Sequence, residues 1–450
     1  MKLLLKGGRL VDPVNDRDGI YDVLIEDGVV ARVDRDIEAG AGIPILDVPE
    51  GAVVCPGLID MHVHLREPGQ EHKEDVASGV ASAVAGGFTA VACMPNTSPV
   101  NDNASVTELI LERAAQARLA RVYPIGAVSV GQNGEQLAEL AELRDAGCVA
   151  VSDDGRPVAT ALLMRRALEY AGMLGLLVID HCEDQTLKGD GVAHEGYHAS
   201  VLGLRGIPGE AEEVIVQRDV TLAGLTKAPV HIAHLSTRGS LRAVRDGKTR
   251  DIRVTCEVTP HHLTLTDDAL HGYDTNTKMN PPLREAADRD ALIDGLRDGT
   301  VDVIATDHAP HHADEKGVEF DRAPFGIVGL ETCVPLVLDR LVHAGVISLR
   351  RVVELLSVNP ARLLEVSGGS LAAGQPADIT VLLPDLEVMV DKKKLRSKSK
   401  NTPFDGWRLR GGVGATLVGG RLVYCNSDAS SLTAWREQRQ RSVARDQRIR

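Results

Sequence analysis

One pattern recurs eight times between residues 53 and 310: a short apolar run rich in Val, Ile and Ala, closed by polar residues and set off by stretches with helical spacing. The runs fall at 53–63, 88–96, 121–130, up to Ser152, 176–181, up to Leu235, from Ile252 and from Val301. The intervening helices are expected at 104–119 after Asn103, 135–146 before Gly147, 159–171 before Gly172, and 210–222. A near-continuous apolar run suits a strand buried on both faces, as in a parallel sheet. Eight βα units over about 310 residues fit a closed (β/α)8 TIM-like barrel, usually about 250 residues before insertions. An open doubly wound sheet is the alternative fold, but the glycine fingerprint GxGxxG that would hold a dinucleotide does not follow the first run. On pattern alone, any large α/β protein remains a third reading.

Both ends of the chain read differently. "KLLLKGGRLV" and "YDVLIEDGVVARV" near the start, and "GQPADITVLLPD" and "GATLVGGRLVYCN" near the finish, are strand-and-turn sequences. Chain ends commonly lie close together at a domain surface, so the two are expected to pair in one small β-sandwich domain. The division expected is 1–54 and 369–430 for that domain, 55–368 for the barrel, and 431–450 for an arginine-rich polar tail.

Composition excludes several function classes. The formal net charge is −14, which implies no broad basic field for nucleic acid. Seven cysteines are scattered with no CxxC pair, which fits a reducing compartment and offers no thiolate zinc site by spacing. The start "MKLLLKGGRLVD" reaches Gly and Asp too early for a secretory signal, and no apolar run is long enough to span a membrane. A soluble cytoplasmic protein is expected.

The chemistry gathers where the strands end. "DMHVHLREPG" places His62 and His64 two residues apart, on one face of a strand, with Arg66 just beyond. Later strand ends carry Asp153 and Asp154 ("SDDG"), His181 ("DHCED"), His231 and His234 ("HIAHLS"), and Asp307, His308, His311 and His312 ("TDHAPHH"). Active sites of (β/α)8 barrels form at this rim. Any one of these residues has an ordinary explanation, such as capping a carbonyl. Together they crowd charged and half-charged groups that need compensation. Imidazoles and carboxylates are zinc ligands, and two ions sharing a hydroxide would make it a nucleophile near neutral pH. An aspartate hydrogen-bonded to that hydroxide can pass its proton to a leaving nitrogen, which is hydrolase chemistry on an amide-like carbonyl.

The ordered set "DMHVHLREPG", "MPNT", "SDDG", "DHCED", "KMNPPLR", "TDHAPH", "FGIVGLET", "SVNPA" and "NTPF" resembles the class I bacterial dihydroorotases of the metal-dependent amidohydrolase superfamily, over nearly the whole chain. The resemblance implies zinc, two ions per subunit: His62 and His64 on the more buried ion, His181 and His234 on the other, Asp154 bridging. It implies that Asp307 contacts the metal site and shuttles the proton, and that Arg66, Asn96, Asn280 and His311 bind substrate. The implied reaction is the reversible interconversion of (S)-dihydroorotate and N-carbamoyl-L-aspartate, the third step of pyrimidine synthesis. The physical case for Arg66 stands beside this, because a guanidinium offers a fixed fork for a carboxylate. His231, His308 and His312 are read as packing or supporting residues.

Related superfamily members open hydantoins, dihydropyrimidines or allantoin, usually with a carboxylated lysine between the metals. No lysine lies between Val149 and Pro157, so Asp154 must bridge; allantoinase remains the alternative activity. Some homologues that have lost metal ligands serve only as structural partners of aspartate transcarbamoylase, but all six ligand positions are filled here. A homodimer is expected, a transcarbamoylase complex is compatible, and the polar segment 309–324 is expected to fold over the mouth.

Overall fold

The computed structural model describes residues 2–438 and 440. Eight parallel strands follow one another in chain order: Leu58–Val63, Phe88–Cys93, Arg121–Gly126, Ala150–Val151, Leu177–Asp180, Val230–Ile232, Val254–Val258 and Val303–Ile304. Val63 and His308 form a parallel bridge between the first and last of them, and the His64 N–H donates to the His308 carbonyl at 2.9 Å. Asp60 reinforces this seam by accepting from the backbone N–H groups of His62 and Thr306, each at 3.2 Å. The barrel expected from the sequence is therefore nearly closed.

Alternation along each strand sorts its side chains. Ala92, Met94, Ile125, Leu177, Ile179 and Val303 share one buried cluster, while Val91, Cys93, Val122 and Val178 join another with the surrounding helices. This is the period-two division between the inside of a barrel and the layer beneath its helices. Helix Ala104–Ala117 starts where expected, because the Asn103 side chain accepts from the N–H groups of Ser105 and Val106.

Several boundaries differ from expectation. The run 53–63 is two strands in two different sheets: Val53–Pro56 pairs with the chain ends, and Leu58–Val63 opens the barrel. Gly57 sits at the changeover, tight against Thr89, whose hydroxyl donates to the Leu58 carbonyl at 3.2 Å. The helix expected to stop at Gly172 runs Ala161–Leu174 and ends at Gly175, the glycine with φ 74°. Gly172 lies within that helix, where an added side chain would meet Ala228. The helix expected over 135–146 begins only at Leu140. The barrel strands are also shorter than the apolar runs, since their last residues leave the hydrogen-bonded ladder and turn into the mouth.

The two chain ends meet in a separate eight-stranded sheet. Its order is Arg421–Cys425, Arg408–Val418, Ile379–Met389, Val53–Pro56, Lys2–Asp12, Arg17–Glu26, Val29–Asp34, with Ile45–Asp47 also paired to Lys2–Asp12. Trp435 is buried against this sheet's core and donates its indole N–H to the Asp47 carbonyl at 2.9 Å. Arg439 and residues 441–450, most of the arginine-rich tail, lie outside the described residues. Among the described residues no helix is long and apolar enough to cross a membrane.

Gly57→Ala is expected to destabilise the fold by about 1–3 kcal/mol, because the new methyl group overpacks against the β-branched Thr89. A urea melt checks it: the midpoint should fall with the slope unchanged.

Candidate metal centre and substrate pocket

His62 and His64 end the first barrel strand, and both rings enter the mouth of the barrel. His62 Nε2 lies 3.3 Å from Asp154 Oδ1 and 3.5 Å from Asp307 Oδ1. His64 Nε2 lies 3.0 Å from Asp307 Oδ1 and 3.5 Å from Asp154 Oδ2. From the far side, His181 Nδ1 and His234 Nε2 approach Asp154 Oδ1 at 3.7 and 3.6 Å and each other at 2.8 Å. Four imidazoles thus surround one carboxylate, and all six residues are buried. The two aspartates of "SDDG" divide the work. Asp153 accepts from the N–H groups of Val128 and Ser129 at 2.8 and 3.1 Å, which fixes the loop and leaves Asp154 turned inward.

The backbone is strained at the same place. Arg66, His234 and Asp307 have φ values of 62°, 28° and 46°, in the left-handed region where side chains other than glycine are uncommon. Such strain persists only where surrounding structure over-determines it, and it clusters at functional sites.

Burial works against the charged form of both aspartates, yet neighbouring imidazoles prevail. His62, His234 and His64 hold the Asp154 carboxyl well below the usual carboxylate range, and His62 and His64 lower that of Asp307. His62 in turn is raised, against its own burial, by Glu257, Asp154 and Asp307. This arrangement calls for positive charge at its centre. His62 Nδ1 is engaged by Glu257 Oε1 at 2.6 Å, so its Nε2, buried with no hydrogen-bond partner, faces two carboxylates. A cation between these groups satisfies all of them, and the nitrogen and oxygen donor set suits a zinc-like ion. His62, His64 and Asp307, and again His62, Asp154 and His234, bring their ligand atoms within 4.8 Å of one another.

Beside this cluster lies a cavity of about 320 Å³ lined by Arg66, Asn96, Asn280 and His311. Arg66 is held in place by its Nε–H, which donates to the Pro310 carbonyl at 3.2 Å, and a terminal nitrogen lies 3.3 Å from His311 Nε2. Burial draws the guanidinium down to about 10, so it keeps its charge at neutral pH, while burial and Arg66 hold His311 neutral. Asn96 and Asn280 also touch the histidines: Asn96 Oδ1 is 2.9 Å from His64 Nδ1, and Asn280 Nδ2 is 3.2 Å from His181 Nε2.

The remaining histidines have supporting places. His308 Nδ1 accepts from the Gly329 N–H at 3.1 Å, His312 caps the short helix Ala313–Lys316, and His231 Nε2 lies 3.3 Å from Glu257 Oε2. Two acids escaped the sequence reading. Glu257 is one. Glu183 is the other, its Oε2 3.6 Å from His181 Nε2 and bonded to Lys188 Nζ at 2.8 Å. For Glu257 a signal existed: a lone acid inside the apolar run "VTCEV" has to be paired somewhere.

Both ends of the segment 309–324 border the cavity, and side chains from elsewhere fasten it. Asn401 Nδ2 donates to the carbonyls of Ala309 and Gly326, both at 3.0 Å, and its Oδ1 accepts from the His311 N–H at 3.1 Å. Lys278 Nζ donates to the Phe320 carbonyl at 2.8 Å. Asn401→Ala removes three hydrogen bonds from a buried clip, so a loss of about 1–3 kcal/mol is expected. Limited proteolysis should then cut the segment faster than in the parent chain, and equal rates would refute the clip.

Known proteins carry the same architecture. The Dihydro-orotase-like family matches residues 51–240. The L-hydantoinase of Arthrobacter aurescens superposes with a TM-score of 0.84 at 26% identity, over 93% of this chain and 95% of its own. The dihydropyrimidinase of Brevibacillus agri shares the fold, with a TM-score of 0.83 at 24% identity over 95% of both chains. Proteins named dihydroorotase are far nearer in sequence. That of Geobacter metallireducens is 53% identical over 94% of this chain and 100% of its own length. That of Pelotomaculum thermopropionicum is 56% identical over 94% of this chain and 98% of its own. With identity of that order sustained from end to end, the chain belongs to the dihydroorotase family.

Proposed function

We propose that the site catalyses the dihydroorotase reaction, opening (S)-dihydroorotate to N-carbamoyl-L-aspartate and closing it again, with two zinc ions as cofactors. The observation that carries this reading is the adjacency of two elements: Asp154 among four imidazoles, and the buried Arg66–His311 pair within the same cavity. His62 and His64 would hold one ion and His181 and His234 the other, with Asp154 between them. Such ions, when bound, would supply Lewis-acid polarisation of a carbonyl and lower the pKa of a bound water.

The chain's own residues do the rest. Arg66 holds its charge in a buried position, and a charge-assisted bond to the ring carboxylate fixes the substrate's orientation. Allantoin, hydantoin and dihydrouracil carry no carboxylate, which favours dihydroorotate over each of them. Asp307 lies within reach of the reacting centre through His64 at 3.0 Å. Asp307 takes a proton from the water as it attacks and delivers it to the departing nitrogen as the ring C–N bond breaks. Ring closure runs the same transfers backwards. Asn96 and Asn280 combine substrate contact with restraint of His64 and His181.

Incubating metal-loaded protein separately with dihydroorotate, hydantoin, dihydrouracil and allantoin tests the assignment. Ring opening of dihydroorotate alone is expected, and preference for any other ring would overturn it. Asp307→Asn should retain its metal but lose turnover by about 10²-fold or more; loss of metal from this variant would refute the proton-transfer role. Arg66→Ala should raise KM with little change in kcat, since the carboxylate is bound in ground and transition states alike. An unchanged KM would remove Arg66 from the substrate site.

A further inference from the structure

We propose that Glu257 is a positioning residue that ties the two halves of the metal centre together, so that its charge supports the binding of every ion the site holds. This rests on the metal-dependent reading above.

Glu257 stands within the seventh barrel strand, Val254–Val258, with its carboxylate fully buried beneath the site. Three donors converge on it. His62 Nδ1 lies 2.6 Å from Oε1, the backbone N–H of His234 donates to the same oxygen at 3.3 Å, and His231 Nε2 lies 3.3 Å from Oε2. Because the Glu257 carboxylate can only accept, neutral His231 carries its proton on Nε2, and its Nδ1 accepts from the Thr255 hydroxyl 2.8 Å away. His231 therefore serves as a brace for Glu257.

Two consequences follow for the ligand histidines. A carboxylate at 2.6 Å keeps the neutral His62 proton on Nδ1, so the Nε2 lone pair is presented to Asp154 and Asp307. An outer carboxylate of this kind fixes the tautomer of a ligating imidazole and raises its basicity. The second consequence concerns His234, whose backbone sits at φ 28° two residues beyond the sixth strand. The bond from its N–H to Glu257 helps hold this strained turn, which aims the His234 ring at His181 and Asp154. One carboxylate thereby governs a side chain on one half of the site and a backbone turn on the other. His181 has its own outer acid, Glu183 at 3.6 Å, and does not depend on Glu257 directly.

The test is Glu257→Gln in the full-length chain, which keeps volume and an acceptor oxygen but removes the charge. Zinc affinity is measured by competition with a chromogenic chelator, independently of turnover. Each ion's affinity is expected to fall by about 10–100-fold, with kcat recovering at saturating zinc. Glu257→Asp, which restores the charge one methylene short, should recover part of the loss. Affinities within about twofold of the parent, or a loss confined to one of two ions, would overturn the proposal. Should Glu257→Gln fail to fold, ¹⁵N-histidine NMR of the unsubstituted apoprotein reads the protonation of His62 Nδ1, and an unprotonated Nδ1 would overturn the proposal equally. A parent chain that binds no zinc would defeat the metal-dependent reading itself, and this inference with it.

Discussion

Closure of the barrel is the constraint on which the rest depends. The His64 N–H to His308 carbonyl bond, with Asp60 accepting from His62 and Thr306 beside it, joins the first strand to the last. Without that seam, His62 and His64 would stand at one edge of an open sheet and Asp307 at the other. With it, Asp307 comes to 3.0 Å from His64 across 243 residues of sequence. The seam runs through the residue between each pair of chemical groups: Val63 lies between His62 and His64, and His308 follows Asp307. Fold closure and site assembly are therefore the same structural event.

What closure assembles is electrostatically expensive until it is balanced. Asp154, Asp307 and Glu257 are buried carboxylates, and burial favours their neutral forms. Their negative charge persists because imidazoles surround them and because His62 is driven toward its charged form in response. A protonated imidazole and a metal cation would satisfy the same need for positive charge among these carboxylates. Metal uptake should accordingly release protons, as it does wherever ligands must be deprotonated.

Specificity has a different source from reactivity. The imidazole–carboxylate cluster stands in a fold that this chain shares with proteins named hydantoinase and dihydropyrimidinase. Arg66 gives this cavity its fixed positive charge, and a buried cation must be paired with an anion that a ligand supplies or with the protein's own acids. Arg66 comes from the loop after the first strand and His311 from the loop after the last, so the same seam that closes the barrel also brings this pair together.

The repeat of apolar runs disclosed the barrel, because burial on both faces demands continuous apolar residues whatever the tertiary detail. His62, His64, Asp154, His181, His234 and Asp307 were legible for a related reason: polar residues directly after buried strands lie at the rim of such a fold. Boundaries were less legible. Gly57 reads as the interior of one strand and Gly172 as a helix stop, yet the chain changes sheets at the first and stays helical through the second, where a side chain would meet Thr89 or Ala228 respectively. Glu257 shows the limit most clearly. Its position in an apolar strand marked it as needing a partner, but its partners come from residues 62, 231 and 234, and only the closed barrel brings them within reach. Local sequence thus determined which residues are strand and which polar residues stand at the rim, since those depend on burial and periodicity. Which atoms face one another was left to the tertiary structure, because hydrogen bonds and charge compensation act over a few ångströms of space whatever the distance along the chain.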